Sequence, residues 1–273
     1  MLDFIITPFE YAFMLRALAA ALIVGTVSAV IGTYVVLRGL AFFGDALSHS
    51  ILPGVAVGYL IQGGDRGAVF WWALGTAIVT SLAIGNISKN TKIREDTAIG
   101  ILFAGMFALG IALISTVQGY TVDLTHFLFG DVLGVGETDL VRMAVFGALV
   151  LLAVFAFYKE FLVLSFDPTL AATLRLPMKT LDYLLFILIA ITIVVSLQTV
   201  GVALMIAMLI TPAATASLLT NRLPVMMGLA AIISALSSII GLYLSYYLNI
   251  ASGSAIVLTA TVVFLVVFAS RRK

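Results

Sequence analysis

Nine apolar stretches, each roughly 18–25 residues long and nearly free of charge, dominate the sequence. A helix crossing the ~30 Å hydrocarbon core of a bilayer needs about 20 such residues. The stretches cover roughly 13–37, 42–62, 68–88, 98–117, 139–158, 180–198, 201–219, 224–247 and 253–270. Glycine, proline and charge separate them: Arg38-Gly39, Gly63-Gly64-Asp65-Arg66-Gly67, Lys89 to Asp96, Pro168, Pro177 and Asn221-Arg222-Leu223-Pro224. Only Gln198-Thr199-Val200-Gly201 parts the sixth stretch from the seventh, so the count falls to eight if those two are one. The expected fold is all-α, a polytopic transmembrane helix bundle with residues 1–273 as a single membrane domain. Composition agrees. The chain is 63% hydrophobic and 10% charged, against roughly 45–50% apolar and about 25% charged for a soluble domain.

Several function classes drop out. A net charge of +1 implies no nucleic-acid partner, and the absence of cysteine removes disulfides and thiolate metal sites. The first apolar stretch is too long for a signal-peptide core and lacks a basic segment before it, so no cleavable signal is expected. No Gly-x-x-x-x-Gly-Lys-Ser/Thr, His-Glu-x-x-His or Gly-x-Ser-x-Gly sequence occurs. The chain therefore carries no P-loop, and nothing supports an intramembrane protease or esterase. Basic residues stay on the cytoplasmic side of short loops. With nine spans, eleven of the fourteen Lys and Arg fall on one side, leaving Arg16, Arg66 and Arg142 on the other. The C-terminus is then cytoplasmic and the N-terminus outside.

Ionisable residues are rare inside the spans. The segment from Phe42 to Gly54 is the exception, with Asp45 and His49 four residues apart. On a helix they stack on one face. A carboxylate at mid-membrane costs on the order of 3 kcal/mol, which something must offset. Carboxylate oxygen and imidazole nitrogen form a usable ligand pair for a divalent transition metal. One pair does not complete a coordination sphere, but two copies across a twofold axis would supply four ligands. A structural reading stays open, with Asp45 as a helix cap and His49 bonded to a backbone carbonyl. Pro53 in the second span and Pro212 in the seventh mark helix breaks, which line a substrate pathway or simply let helices pack closely.

Two connections are long enough to matter. Residues 118–138, outside, contain Asp123, His126, Asp131 and Glu137. His126 packs on aromatics or faces water, with metal ligation the alternative. In residues 159–179, inside, Asp167 suits an N-cap and Pro168 a first helical residue. Leu170, Leu174 and Leu176 follow, and Pro177 stops the element. A short helix over about 167–176 results. It rests on lipid headgroups or docks a soluble partner. Asp96 is expected to cap the fourth span with local ion pairing.

Four stretches together resemble the permease subunits of the manganese/zinc/iron family of ATP-binding-cassette importers. They are Val36-Leu37-Arg38-Gly39 through Gly44-Asp45-Ala46-Leu47-Ser48-His49 to Leu52-Pro53-Gly54; Arg94 to Gly100; Ser165-Phe166-Asp167 with Ala171; and Ala207 to Ala216. Asp123-Leu124 with His126 to Gly130 looks more like the manganese branch. The resemblance implies an importer permease in the bacterial cytoplasmic (inner) membrane, working as a homodimer. Cytoplasmic ATP-binding subunits would dock through Phe166, Asp167, Pro168, Ala171 and Leu174, and an extracytoplasmic metal-binding protein would deliver the ion. Asp45 and His49 match the family's permease metal site. No cofactor is permanently bound, ATP hydrolysis belongs to the partner subunit, and the transported ion is manganese, with zinc or iron as alternatives. One departure is Leu174-Arg175-Leu176-Pro177, where the family commonly has a glycine. Imidazole binds metal only when neutral, so uptake should fall as the medium is acidified. The competing functions are a secondary transporter driven by an ion gradient, with Asp45 as proton relay, and a membrane enzyme or scaffold with no ion flux.

Overall fold

The structure, a computed structural model, describes residues 7–62, 66–116 and 132–271. Among them there is no strand. The helices, in chain order, are α1 (Ala12–Leu37), α2 (Ala41–Ser50), α3 (Leu52–Gln62), α4 (Arg66–Asn90), α5 (Glu95–Ile114), α6 (Glu137–Ala156), α7 (Tyr158–Phe166), α8 (Pro168–Thr173), α9 (Met178–Leu219), α10 (Leu223–Leu248) and α11 (Ser252–Arg271). Seven of them, α1, α4, α5, α6, α9, α10 and α11, are long and apolar enough to cross a membrane. Their residues are apolar on all sides, as expected where lipid replaces water around the outer faces.

The two interruptions have local causes. Pro53 has no N–H to give the carbonyl of His49 four residues back, and the expected second span divides at Ile51 into α2 and α3. The hydroxyls of Ser48 and Ser50 donate to the carbonyls of Asp45 and Ala46, both at 2.7 Å, which adds to the bend. In α9, 42 residues would make a rod of about 63 Å at ~1.5 Å per residue, twice one hydrocarbon crossing. Gly201 breaks it, with φ 79 and ψ 169, a conformation open essentially to glycine. The helix break expected at Pro212 is absent: α9 runs helical through that residue, which bends at most the local turn, and the backbone departs from the helix at Gly201 instead.

The chain forms two compact units: Met1–Gly39 with Asp123–Ala156 and Val195–Lys273, and Leu40–Val122 with Phe157–Val194. The first packs α1, α6, α10, α11 and the second part of α9. Small residues let its helices approach closely: a Cβ on Gly32 would meet the Leu209 carbonyl oxygen at 1.8 Å, and one on Gly241 the Ile256 backbone at 2.5 Å. Ala29, Ala213, Ala216, Met226 and Ala230 form its core. The second unit packs α2, α3, α4, α5, α7, α8 and the start of α9. There Gly54 lies against the Trp72 carbonyl, Gly110 against Leu52, and Gly85 against the ring of Phe186.

Candidate metal-binding site

Asp45 and His49 lie one turn apart on α2, with Nε2 of His49 3.7 Å from Oδ1 of Asp45. That is beyond a hydrogen bond. It is close to the ~3.4 Å between two donors that each sit about 2.1 Å from a tetrahedral ion. The imidazole is walled by α5: the Phe107 ring meets it edge-on at 5.7 Å, and Phe103 lies tilted at 5.9 Å. Phe103 and Phe107 stack on each other, and Phe42 meets Phe103 edge-on. Three aromatic rings thus fix one side of the pair. The other side opens outward, with the Asp45 side chain 39% exposed and that of His49 23% exposed. Among the described residues no third His, Asp or Glu joins them. The pair alone supplies two ligands.

Pro53 occupies the second position of α3, just beyond the pair. Pro212 belongs to the other unit. Asp123, His126 and Asp131 lie outside the described residues, and Glu137 opens α6. Asp96 does not cap α5. Arg94 holds that position, and Asp96 is the second helical residue, 3.7 Å from the Arg94 guanidinium and well exposed. A single residue, Glu95, separates the partners and allows the pairing, while the extended backbone of Arg94 takes the cap.

Asp167 caps α8: its Oδ1 accepts a hydrogen bond from the Leu170 amide at 2.9 Å, and Pro168 takes the first helical position. Ala171 is buried, whereas Phe166, Leu170 and Leu174, before, within and just after α8, are exposed. The helix ends with the Arg175 amide on the Ala172 carbonyl and the Leu176 amide on the Ala171 carbonyl. This is a Schellman turn. Arg175 holds the left-handed position of that turn at φ 54, a conformation that glycine adopts at least cost.

Sequence reasoning missed the rings of Phe103 and Phe107, whose only signal is an aromatic pair four apart in the fourth span. It also passed over Lys89 and Asp182. They form an ion pair between the end of α4 and the start of α9.

Apolar helices of membrane-crossing length, with a carboxylate–imidazole pair on one short helix, define a multi-pass membrane protein of the bacterial inner membrane. The chain belongs to the ABC 3 transport family, whose model matches residues 10–271. It is 48% identical to the manganese transport system membrane protein MntC of Halalkalibacterium halodurans, over 95% of this chain and 87% of that protein. It is 41% identical to the manganese import system permease protein ScaB of Streptococcus gordonii, over 97% and 94%. The solved structure of PsaBC from Streptococcus pneumoniae in complex with a Fab superposes with a TM-score of 0.84 at 41% identity, covering 98% of this chain and 95% of that one.

Proposed function

We propose that the chain is the permease subunit of an ATP-driven importer of divalent transition-metal ions, with manganese the favoured cargo and zinc or iron the alternatives. The observation that carries this is the Asp45–His49 pair: a hard oxygen and an imidazole nitrogen at ligand spacing, rigidly walled on one side and open on the other. Relatives named for manganese transport support the choice of metal. A second copy supplies the missing ligands, so that two carboxylates offset the charge of the cation. Residues 1–273 act as one permease domain of nine crossings, counting α2–α3 as one and dividing α9 at Gly201. The exposed Phe166, Leu170 and Leu174 are the apolar residues on which a cytoplasmic ATP-binding subunit docks, while Asp167, Pro168 and the buried Ala171 hold α8 in place. Pro53 is the helix break beside the pair on the pathway, and a separate metal-binding protein delivers the ion from outside.

The mechanism follows from desolvation. A divalent ion entering the bundle loses most of its water, and the carboxylates and imidazoles replace those ligands. Closure of the ATP-binding subunits moves α8 and shifts access from one side of the membrane to the other. In proteoliposomes holding the permease with its ATP-binding subunits, manganese uptake should require ATP. Asp45→Ala and His49→Ala variants, correctly inserted, should lose uptake by about a hundredfold. Uptake driven by a proton gradient without ATP would instead establish the secondary transporter, and wild-type uptake in both variants would sink the assigned site. Competition by zinc and iron ranks the cargoes.

A further inference from the structure

An unbroken series of bonds and packed rings runs through the second unit from α8 to the metal pair. The turn leaving α8 has no slack. The Leu176 amide bonds to Ala171, the Met178 amide to Leu176, and the Leu181 amide to Pro177, so α8 passes directly into the first turn of α9. The next residue, Asp182, is buried and ion-paired to Lys89 at the last turn of α4. A polar knot surrounds the pair. Lys89 lies over the Tyr183 ring at 5.9 Å, the Tyr183 hydroxyl donates to Asn86 Oδ1 at 3.5 Å, and Lys179 donates to Asn90 Oδ1 at 3.4 Å. One turn farther along α9, Phe186 is held between two surfaces. A Cβ on Gly85 of α4 would meet its ring at 2.8 Å, and the ring of Phe43 stacks on it at 5.3 Å and 25°. Phe43 is two residues before Asp45 on α2.

We propose that the Lys89–Asp182 ion pair and the Phe186–Phe43 stack are the linkage that carries displacement of α8 to the helix bearing Asp45 and His49. The inference rests on the importer reading given above. Lys89 and Asp182 touch neither the ion nor ATP; they are positioning residues. Their arrangement suits the task. The ion pair fixes the start of α9 to the end of α4, so a push on α8 cannot be absorbed by sliding between those helices. The ring stack then transmits it laterally, because Phe186 is buried with no room on the Gly85 side. A buried charge pair is also directional. Neither partner can leave the other without stranding a charge away from water, so the helix ends move together or not at all.

The test measures manganese ions imported per ATP hydrolysed by the reconstituted complex, with manganese binding measured separately on the detergent-solubilised complex. Asp182→Asn should leave manganese binding and ATP hydrolysis near wild-type values while ions imported per ATP fall about tenfold, the size of an ordinary coupling between sites. The exchanged pair, Lys89→Asp with Asp182→Lys, should restore much of that ratio. Phe186→Leu, which preserves an apolar contact but not the stack, should lower the same ratio even if Asp182→Asn inserts poorly. The linkage is overturned if both variants import with the wild-type ratio. It is also overturned if binding, hydrolysis and uptake fall in equal proportion together with the thermal midpoint, since that is a purely structural role. Failure of the importer reading is distinct: wild-type uptake would not depend on ATP at all.

Discussion

The two units bury polar groups in different ways. Every fully buried polar residue of the first is Ser or Thr, among the described residues. Ser234 donates to Met208 Sδ on another helix, but several of these hydroxyls turn back on their own helix: Thr33 to Val30, Thr215 to Thr211, Ser238 to Ser234 and Thr259 to Ala255. Such groups ask nothing of neighbouring helices. Packing there comes from backbone approaching backbone at Gly32 and Gly241. The second unit adds ionisable groups that reach between elements or pair on one turn: Lys89 with Asp182, and Asp45 with His49. Each needs a partner on another element, another molecule or a cargo ion. The Arg142–Asp139 pair of the first unit is local to α6, whereas Lys89–Asp182 joins α4 to α9, so the second unit uses charge to tie its helices together.

Substitutions can break that comparison. The largest effect on stability should come from Gly32→Ala in the first unit. Its new methyl would lie 1.8 Å from a backbone oxygen, and the rigid helices must separate. A loss of about 3 kcal/mol is expected, read as a marked drop in the thermal midpoint of the detergent-solubilised protein. An unchanged midpoint would show that the α1–α9 contact is not tight. His49→Ala should do the reverse, abolishing uptake while the midpoint barely moves. Gly85→Ala comes next. Its methyl meets ring carbons of Phe186 rather than backbone, so the ring can tilt and about 1–2 kcal/mol is expected. A cost equal to that of Gly32→Ala would mean the ring is held as firmly as backbone. Asp167→Ala should follow with about 1 kcal/mol, the ordinary value of a lost N-cap. Hydrogen exchange confined to the α8 amides would report it, and no change in the Leu170 amide would remove the cap from the account.

What was legible in the sequence divides along the same line. Local features were readable: the helical spans, the break near Gly201, the interruption by Pro53 and the cap at Asp167. Each depends on one residue's backbone or on a partner within four positions. Asp96 shows the limit even there, because the cap position is fixed by where the backbone turns extended, and Arg94 takes it. Long-range partners were not readable. In an all-round apolar helix no face is marked as inward, so nothing in the fourth span distinguished Phe103 and Phe107 from the lipid-facing residues beside them. Lys89 and Asp182 are 93 positions apart, and their charges at span ends look like ordinary interfacial anchors until α4 and α9 are seen to meet. The Asp45–His49 pair was legible because both halves sit on one turn and because charge in an apolar run is costly. Its aromatic wall lies on another helix and was not.

The smallest expected effect tests whether α8 is shaped by its backbone or by the chemistry of its surface. Arg175 closes the helix at φ 54, where a side chain costs roughly 1–2 kcal/mol relative to the right-handed region and glycine costs little. Glycine returns part of that gain, because its unfolded chain has more freedom to lose, by about 0.4–1 kcal/mol. The net for Arg175→Gly is therefore a modest stabilisation of the turn. It should appear as slower hydrogen exchange at the Arg175 position and at Leu176, whose amides close the turn onto Ala172 and Ala171. If the guanidinium served only to tolerate the turn, the variant would keep or slightly raise ATP-driven uptake. If exchange slows and uptake nevertheless falls, the arginine is retained against its own conformational cost because its charge meets the ATP-binding subunit. That outcome would extend the docking surface beyond Phe166, Leu170 and Leu174. Faster exchange would show instead that the turn depends on a contact of the arginine side chain, and the backbone explanation of this position would fail.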